Sequence, residues 1–193
     1  MSVHVVRLHE CPPQPWRNGG GSTRELLRWP PQAGGDDWTL RVSVAEIDRD
    51  GPFSSYAGID RWFAVLDGAG VTLALPAGER ALARCDAPVA FAGEQAPGCR
   101  LLDGPTRDLN LMLRRGACTG TMRLAQAGES FGDGGTAGNL WRALYAATVV
   151  RVQTGAASSE TLAAGTLLWA DADAAVRWQL REGGLAFWMS ATR

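Results

Sequence analysis

The segment PWRNGGGSTRE, residues 15–25, holds the densest group of side chains and amides in the chain that could bind an anion. Its three consecutive glycines allow positive φ angles and a close approach to a ligand, and their successive amides can form a concave anion-binding nest. A tight turn or bulge that joins two strands is the alternative interpretation of the same glycines. The residues predicted to contact a ligand here are Arg17, Asn18, Gly19, Gly20 and Thr23.

Two later segments place polar side chains on one face of a predicted strand. Residues 38–45 and residues 108–113 alternate between apolar and polar side chains, and alternation in a strand separates the two kinds onto opposite faces. Such a polar face lines either a ligand pocket or bulk water. The polar face carries Arg41 and Ser43 in the first segment, and Asp108, Asn110 and Met112 in the second.

A loop rich in turn-forming residues, 50–61, lies between these two segments. Its Phe53 and Tyr56 either fill the core or contact a ligand. Arg61 adds a further cation, and a guanidinium can hold a carboxylate through two parallel hydrogen bonds. We therefore predict that Tyr56 and Arg61, together with Asn110, complete a binding site for a small acidic molecule.

Neither a metal centre nor another cofactor is expected from this sequence. Its two histidines, His4 and His9, lie five residues apart, so on one strand their side chains would point to opposite faces. The cysteines lack a C-x-x-C pair and are expected to be free thiols in a reducing compartment. They are Cys11, Cys85, Cys99 and Cys118.

The bulk composition argues against nucleic acid and membrane as partners. The 193 residues carry a formal net charge of −1, from 20 acidic and 19 basic side chains, and no segment concentrates one sign. Nucleic-acid binders instead show a basic patch. No stretch approaches the roughly 18 apolar residues of a membrane span, and no signal peptide is recognised. We expect a cytoplasmic protein whose sheets could pair to form a homodimer.

The 24 glycines and 10 prolines divide the sequence into short apolar segments, which predicts an all-β fold. In the first part of the chain the predicted strands are Val3–Leu8, Thr23–Trp29, Trp38–Ala45, Trp62–Leu66, Val71–Leu75, Val89–Phe91 and Leu109–Leu113. In the second part they are Leu144–Gln153, Thr166–Trp169, Ala175–Leu180 and Leu185–Met189.

A weak internal echo between residues 64–75 and residues 148–169 favours two similar units of the jelly-roll type. We predict a bicupin-like architecture of two fused jelly-roll barrels, of which the second is smaller and degenerate. Residues 1–116 form a cupin-like barrel with the ligand pocket, residues 117–138 a glycine-rich connector, and residues 139–193 a cupin-like half, and the barrels could exchange strands.

Five blocks in the first part of the chain follow the pattern of a known family. They are PWRNGGGSTRE, WTLRVSVAEI, DGPFSSYAGIDR, FAGE and DGPTRDLNLMLRR. On these blocks the chain resembles the HutD/Ves family, whose members resemble two fused cupin-like barrels. The resemblance runs through most of residues 12–116 and is only general further along the chain.

The resemblance implies a protein associated with histidine utilisation, which binds a pathway intermediate such as formiminoglutamate and restrains the pathway instead of catalysing a step. Ves-type members have a looser link to stress or cold response. The family usually has Lys where this chain has Arg17, and that change replaces a compact ammonium with a planar fork, so the geometry offered to a ligand differs.

Three functions stay open on these grounds. The favoured one is a metal-free, regulatory protein that binds a small acidic metabolite. The second is a metal-independent enzyme that acts on a small carboxylate, with Asp108 as its general base, although histidine is the usual choice for that role. The third is an oligomeric scaffold with a vestigial pocket. A regulator saturates with a ligand and leaves it unchanged, an enzyme turns it over, and a scaffold does neither.

Overall fold

The computed structural model of the chain describes residues 3–32, 35, 37–131, 139–156, 159–171 and 177–193. They form an all-β protein, as predicted, with two short 3-10 helices at Leu8–Glu10 and Gly93–Gln95. Within these residues, no helix is long and apolar enough to cross a bilayer.

The strands are short, and most of the strand pairs join strands that are not consecutive in the chain. The first are β1 (Val3–Arg7), β2 (Pro13–Pro15), β3 (Gly21–Trp29), β4 (Leu40–Ile47), β5 (Gly51–Pro52) and β6 (Ile59–Asp67). Next are β7 (Val71–Leu75), β8 (Gly78–Leu82), β9 (Val89–Ala92), β10 (Gly98–Leu101), β11 (Thr106–Arg114) and β12 (Thr119–Leu124). The last are β13 (Ser130–Phe131), β14 (Asn139–Ala146), β15 (Val150–Thr154), β16 (Glu160–Leu162), β17 (Thr166–Asp171), β18 (Trp178–Glu182) and β19 (Ala186–Thr192).

The chain divides into two compact units. One consists of Cys11–Ala117, and the other combines Met1–Glu10 with Cys118–Arg193. The division differs from the predicted boundaries at its N-terminal end, because β1 pairs antiparallel with β17 instead of joining the strands that follow it. A single alternating segment does not reveal its partner, since pairing with a distant strand leaves no mark on its own sequence.

The predicted connector, residues 117–138, also differs from the structure. It contains β12, which pairs antiparallel with β19 along its whole length, and Met122 of that strand is buried. Pairing with a core strand thus compensates for the small number of apolar residues in β12. The last part of the predicted connector, residues 132–138, lies outside the described residues.

Two predicted strands of the second part have different bounds. The segment 144–153, predicted as one strand, forms β14 and β15 with a turn between them. In the predicted strand 175–180, residues 175 and 176 lie outside the described residues, and β18 begins at Trp178. The continuous apolar character of segment 144–153 therefore gave no sign of the break between two strands of different sheets, and no glycine or proline marks that break.

The unit Cys11–Ala117 consists of two antiparallel sheets. One has six strands in the order β2-β3-β4-β11-β6-β9, and the other has four in the order β5-β10-β7-β8. A cluster of buried apolar residues from both sheets forms the core of the unit, and burial of apolar surface is its main stabilising contribution. The cluster contains Ile47, Phe63, Val65, Val71, Leu73, Leu82, Val89, Phe91 and Cys99.

The unit formed by Met1–Glu10 and Cys118–Arg193 also has two antiparallel sheets. Their strand orders are β1-β17-β14-β19-β12 and β13-β18-β15-β16. The core of this unit contains two tryptophans among aliphatic side chains: Trp178 and Trp188 are both fully buried, and Phe131 stacks on Trp188 with ring centroids 4.7 Å apart. Large aromatic side chains bury much apolar surface in a small unit.

Strands β2 and β3 form a hairpin: Gly19 and Gly20 lie in its turn, and Gly21 begins β3. The backbone N–H of Trp16 donates to the Gly21 carbonyl oxygen at 2.9 Å, and Gly19 adopts a left-handed φ of +68°. At Gly21 the hairpin approaches β4 so closely that a Cβ atom would lie 2.1 Å from the Glu46 carbonyl oxygen. This close approach is what requires glycine at position 21.

Gly21→Ala should therefore separate the hairpin from β4. We expect it to lower the free energy of unfolding by about 1–3 kcal/mol, the usual cost of overpacking. The matched control is Gly51→Ala, where nothing lies within 4 Å of an added Cβ, and where the change should be about 1 kcal/mol or less. Urea denaturation of the three proteins measures the difference, and equal effects at both positions would contradict the assignment.

Candidate functional site

A cavity of about 440 Å³ opens on one face of the six-stranded sheet, within the unit Cys11–Ala117. Its floor comes from β3, β4, β6 and β11, and its walls come from the β2–β3 hairpin and the segment 52–56. Small-molecule sites usually measure about 300–1,000 Å³. The sequence-predicted residues that line it are Arg17, Asn18, Thr23, Arg41, Ser43, Tyr56, Arg61 and Asn110.

The alternation of β4 explains how its residues reach this cavity. Leu40, Val42 and Val44 are buried on the opposite face of the sheet, so Arg41 and Ser43 point to the cavity side. In the register of the sheet Ser43 lies opposite Asn110 of β11, and both side chains are buried. The two strands therefore bring their polar residues together.

The amides of Gly19 and Gly20, predicted to bind an anion, are instead used inside the hairpin. The Gly19 N–H donates to the Trp16 carbonyl oxygen at 3.0 Å, and the Gly20 N–H donates to Asn18 Oδ1 at 3.0 Å. Neither glycine lines the cavity. The predicted amide nest is thus corrected: the glycines form the tight turn of the alternative interpretation, because reversal of the chain consumes these donors.

Arg61 of β6 is the most deeply buried cation of the cavity, with 7% of its surface exposed. Its Nη2 donates to Asn110 Oδ1 at 2.8 Å. Among the described residues no carboxylate forms an ion pair with it, and its Nε has no hydrogen-bond partner. Burial lowers the pKa of Arg61 to about 10, Tyr56 opposes that shift and Arg41 adds to it, so the guanidinium stays charged at neutral pH.

Aromatic rings surround this guanidinium. Its Cζ lies 4.8 Å from the ring centroid of Phe53, 5.2 Å from that of Phe91 and 5.8 Å from that of Tyr56. Phe91 reaches it because β9 pairs with β6 and sets Phe91 opposite Arg61. The electron-rich faces of the rings offset part of the cost of desolvating the cation. They do not replace a hydrogen-bonded anion, because the N–H groups lie in the guanidinium plane.

Arg41 lies on the same face, two strands away from Arg61. In register it is opposite Met112 of β11, and Met112 is opposite Arg61. The Nε of Arg41 donates to Glu25 Oε2 at 2.7 Å, so Arg41 has a carboxylate partner that Arg61 lacks. Of the cations that line the cavity, Arg41 is therefore paired with a protein carboxylate and the buried Arg61 is not, whereas Arg17 is exposed at the mouth.

The hairpin supplies the rim of the site. Arg17 and Asn18 are exposed at its tip, where they line the mouth of the cavity. Thr23 lies deeper, and its Oγ1 accepts a hydrogen bond from Trp16 Nε1 at 2.8 Å. This bond holds the indole of Trp16 against the strand that follows the turn, so the position of the rim is coupled to the floor.

The structure does not bring Asp108 to the cavity. It is 0% exposed and lies opposite Ala45 and Val65 within the sheet. Within the described part of the chain neither carboxyl oxygen has a hydrogen-bond partner. Burial raises the pKa of Asp108 well above its usual value, which favours the protonated form. Its position is therefore not that of a general base acting on a molecule in the cavity.

The two histidines lie outside the unit that holds the cavity. Both fall in Met1–Glu10, and the ring of His4 stacks on Trp169 with centroids 4.2 Å apart. Across the residues that the structure describes, no group of three or more His, Cys, Asp or Glu side chains lies where it could hold a metal ion.

Sequence reasoning missed several residues of the site. Phe63 lines the cavity, and Phe91 contacts Arg61 without lining it, whereas Met112, which alternation had placed on the face of Asn110, lines the cavity as well. The alternation of residues 59–63 places Phe63 on the face of Arg61 and so provided a signal. Glu25 was missed because its orientation depends on an irregularity of β3 that the sequence does not show.

A solved structure of low sequence identity defines the fold class. Salicylate 1,2-dioxygenase from Pseudoaminobacter salicylatoxidans matches with a TM-score of 0.61 at 11% identity, over 98% of this chain and 81% of that chain. At this identity the likeness shows the fold alone, and the fold is an all-β one with cupin-like neighbours.

The family model described as HutD matches residues 8–188, so the chain belongs to the HutD family, which is associated with the histidine utilisation locus. The resemblance seen in the sequence blocks is thereby confirmed. HutD from Pseudomonas fluorescens SBW25, solved in a formate condition, matches with a TM-score of 0.83 at 27% identity over 99% of this chain and 98% of that chain.

Curated relatives match over part of their length. An uncharacterised 21.2 kDa protein in the hutC 3′ region of Pseudomonas putida is 40% identical over 111 residues, 57% of this chain and 57% of that protein. The protein Ves of Cronobacter sakazakii is 36% identical over 119 residues, 61% of this chain and 64% of that protein. The matched segments thus span less than two thirds of the relatives' own length.

The buried carboxyl of Asp108 should make stability depend on pH. Its pKa is raised in the folded chain, so between the ordinary Asp pKa of about 4 and the raised value only the folded state keeps the proton. The free energy of unfolding should therefore fall in this window by as much as about 1.4 kcal/mol per pH unit.

Asp108→Asn removes this proton linkage and should gain stability relative to the unchanged protein as the pH rises from 4. Denaturant unfolding at several pH values measures the difference. The control is Asp67→Asn, at an exposed position of β6, where the same substitution removes no buried carboxyl. Parallel pH curves for the unchanged protein and Asp108→Asn would contradict the prediction.

Proposed function

We propose that this chain is a metal-free protein of regulatory function that binds a small acidic metabolite, such as formiminoglutamate, in histidine utilisation. The observation that carries the proposal is Arg61, a buried cation that lines a cavity without a carboxylate partner among the described residues. An ionised group taken out of water costs free energy unless it is paired and hydrogen-bonded. The carboxylate of a ligand would supply that partner.

The hydrogen-bonding groups around Arg61 also favour an acidic ligand. Three side-chain oxygens of the site already accept bonds from the protein: Asn110 Oδ1 from Arg61, Thr23 Oγ1 from Trp16, and Asn18 Oδ1 from Gly20. These side chains also offer donors to a ligand, namely the amide N–H groups of both asparagines and the hydroxyl of Thr23. A donor-rich cavity complements a ligand rich in acceptors, and a carboxylate accepts without donating.

Aliphatic and aromatic side chains complete the site. Ile47, Phe53, Phe63 and Met112 face the cavity beside the polar groups. They suit the hydrocarbon part of a small acid and lower the local dielectric, so a charged hydrogen bond inside is stronger than in water. For a ligand of roughly a dozen heavy atoms, usual efficiencies give about −4 to −8 kcal/mol, which is millimolar to micromolar affinity. That range suits the sensing of a metabolite.

Binding without turnover is the simpler role for these groups. The cavity lining contains arginine, amide and hydroxyl side chains but no His, Asp or Glu among the residues that the structure describes. General acid-base catalysis needs a group that titrates near the working pH. The proposal therefore assigns the site to recognition of the acid, with regulation as its outcome.

For the architecture, we propose that each unit is a jelly-roll barrel and that the second is a degenerate copy of the first. Two antiparallel sheets in each unit support this interpretation. The cavity lies in the unit Cys11–Ala117. Retention of a pocket in one barrel, with tryptophan filling the core of the other, is consistent with such a division of roles.

The proposal is tested by measuring the thermal unfolding of the protein with each of five acids: formiminoglutamate, glutamate, urocanate, histidine and formate. A ligand at a hundredfold excess over Kd stabilises the folded chain by about 2.7 kcal/mol. Arg61→Met should abolish the shift, whereas Arg107→Met should keep it, because Arg107 is exposed and paired with Glu46 outside the cavity. No shift with any acid, or consumption of the acid seen by NMR, would count against the proposal.

The same substitution separates a functional role of Arg61 from a structural one. Without ligand, Arg61→Met should unfold at a temperature equal to or above that of the unchanged protein, because an apolar side chain of similar length replaces a desolvated cation. Differential scanning calorimetry measures this. A loss of more than about 2 kcal/mol would mean that Arg61 is held there for the fold.

A further inference from the structure

Three arginines share one cross-strand row on the cavity face of the six-stranded sheet. In register Arg28 of β3 lies opposite Arg41 of β4, Arg41 opposite Met112 of β11, and Met112 opposite Arg61 of β6. Directly opposite residues of paired strands share a face, and like charges in that position repel each other. The row therefore needs negative charge close by.

Glu25 supplies that charge because β3 is irregular. The register between β3 and β4 shifts between Glu25 and Leu27, and Leu26 and Leu27 are both buried. Residues three apart in a regular strand point to opposite faces, but one extra residue in a bulge brings them to the same face. Glu25 and Arg28 consequently both reach Arg41.

One carboxylate thus serves two guanidinium groups. Glu25 Oε2 accepts a hydrogen bond from Arg41 Nε at 2.7 Å, and Arg28 Nε lies 2.8 Å from Glu25 Oε1, at ion-pair distance but without hydrogen-bond geometry. The side chains of Arg41 and Glu25 are only 14% and 20% exposed, so solvent screens their interaction incompletely. Arg41 lines the cavity, whereas Glu25 and Arg28 do not.

We propose that Glu25 is a positioning residue that selects ligands by charge: it holds Arg41 and compensates its charge, so that the cavity binds one carboxylate at Arg61 and disfavours a second one beside Arg41. A ligand with two carboxylates, such as formiminoglutamate, would then direct its second one to the mouth of the cavity, where Arg17 lies. The inference rests on the proposed function, since it concerns the selectivity of the same site. Its physical basis is that a second ligand carboxylate near Arg41 would lie close to the carboxylate of Glu25.

The charge of a ligand can be changed with almost no change in its shape. Glutarate is a dianion, and its monoamide, glutaramate, is a monoanion of nearly the same size. Calorimetric titration gives Kd for both, and their ratio cancels effects that act on all ligands alike. A general loss of structure would weaken both ligands together, whereas the proposed role moves the ratio.

Glu25→Gln should shift the ratio towards glutarate by about fivefold, the effect of one unit charge at about 4 Å in water. Arg28→Met should shift it the other way, because the charge of Glu25 then acts on Arg41 alone. Glu46→Gln is the control, since Glu46 pairs with the exposed Arg107 outside the cavity, and it should leave the ratio unchanged.

Each outcome decides between the two proposals. If the unchanged protein binds neither glutarate, glutaramate nor any acid of the panel, the proposed function fails and selectivity has no meaning. If the unchanged protein binds these acids but Glu25→Gln leaves the ratio of the two Kd values as in Glu46→Gln, the role of Glu25 is overturned. It is also overturned if Glu25→Gln and Arg28→Met shift this ratio in the same direction. Should Glu25→Gln not fold, the direction of the Arg28→Met shift decides, because Arg28 is about one third exposed.

Discussion

The burial of the Arg61 guanidinium is the constraint on which the site depends. A cation in this position needs partners that a single strand cannot supply. Asn110 comes from β11 on one side of β6, and Phe91 comes from β9 on the other. Each contributes a different interaction: the amide oxygen accepts one N–H of the guanidinium, and the ring of Phe91 lies 5.2 Å from Cζ, within cation-π distance. The buried position of Arg61 therefore depends on the strands on both sides of β6, which are β11 and β9.

The charge of Arg61 also shapes its surroundings. Because Met112 separates Arg41 from Arg61 in the row, the two guanidinium groups share a face without direct contact between opposite residues. The bulge of β3 then places Glu25 at the far side of Arg41. Negative charge is thus supplied where it relieves repulsion between Arg28 and Arg41, and it is kept away from Arg61. Bulges often re-aim side chains next to functional sites, and this one re-aims a counterion.

Much of the fold and part of the site could be predicted from the sequence. Alternation is a local property, so it correctly placed Arg41, Ser43 and Asn110 on the face that lines the cavity. The roles of Gly19 and Gly20 could not be read in this way, because a turn and an anion nest require the same conformational freedom. Only the partners of the amides distinguish the two.

Non-local features account for the other differences. The pairing of β1 with β17 and of β12 with β19 joins segments far apart in the chain. The sequence of a single strand does not indicate which distant strand it pairs with. Asp108 shares the alternation of Asn110 and lies opposite Ala45, which lines the cavity, yet Asp108 itself is fully buried and does not line it. Alternation predicts which face of the sheet a side chain occupies, but not how far along the strand the cavity extends. That extent decides whether a carboxyl group contacts a ligand or is buried in the core.

The hydrogen bonds inside the site explain why it can be selective with few residues. The acceptor oxygens of Asn18, Thr23 and Asn110 each hold a protein donor, so the side chains are fixed in orientation before any ligand arrives. Pre-organised groups lose less conformational entropy on binding than mobile ones. Each of these side chains also carries a donor, and a ligand that cannot accept from a fixed donor leaves that donor unpaired, which costs binding free energy. The orientation of these side chains, and the selectivity for an acid that we propose, therefore depend on the same hydrogen bonds within the protein.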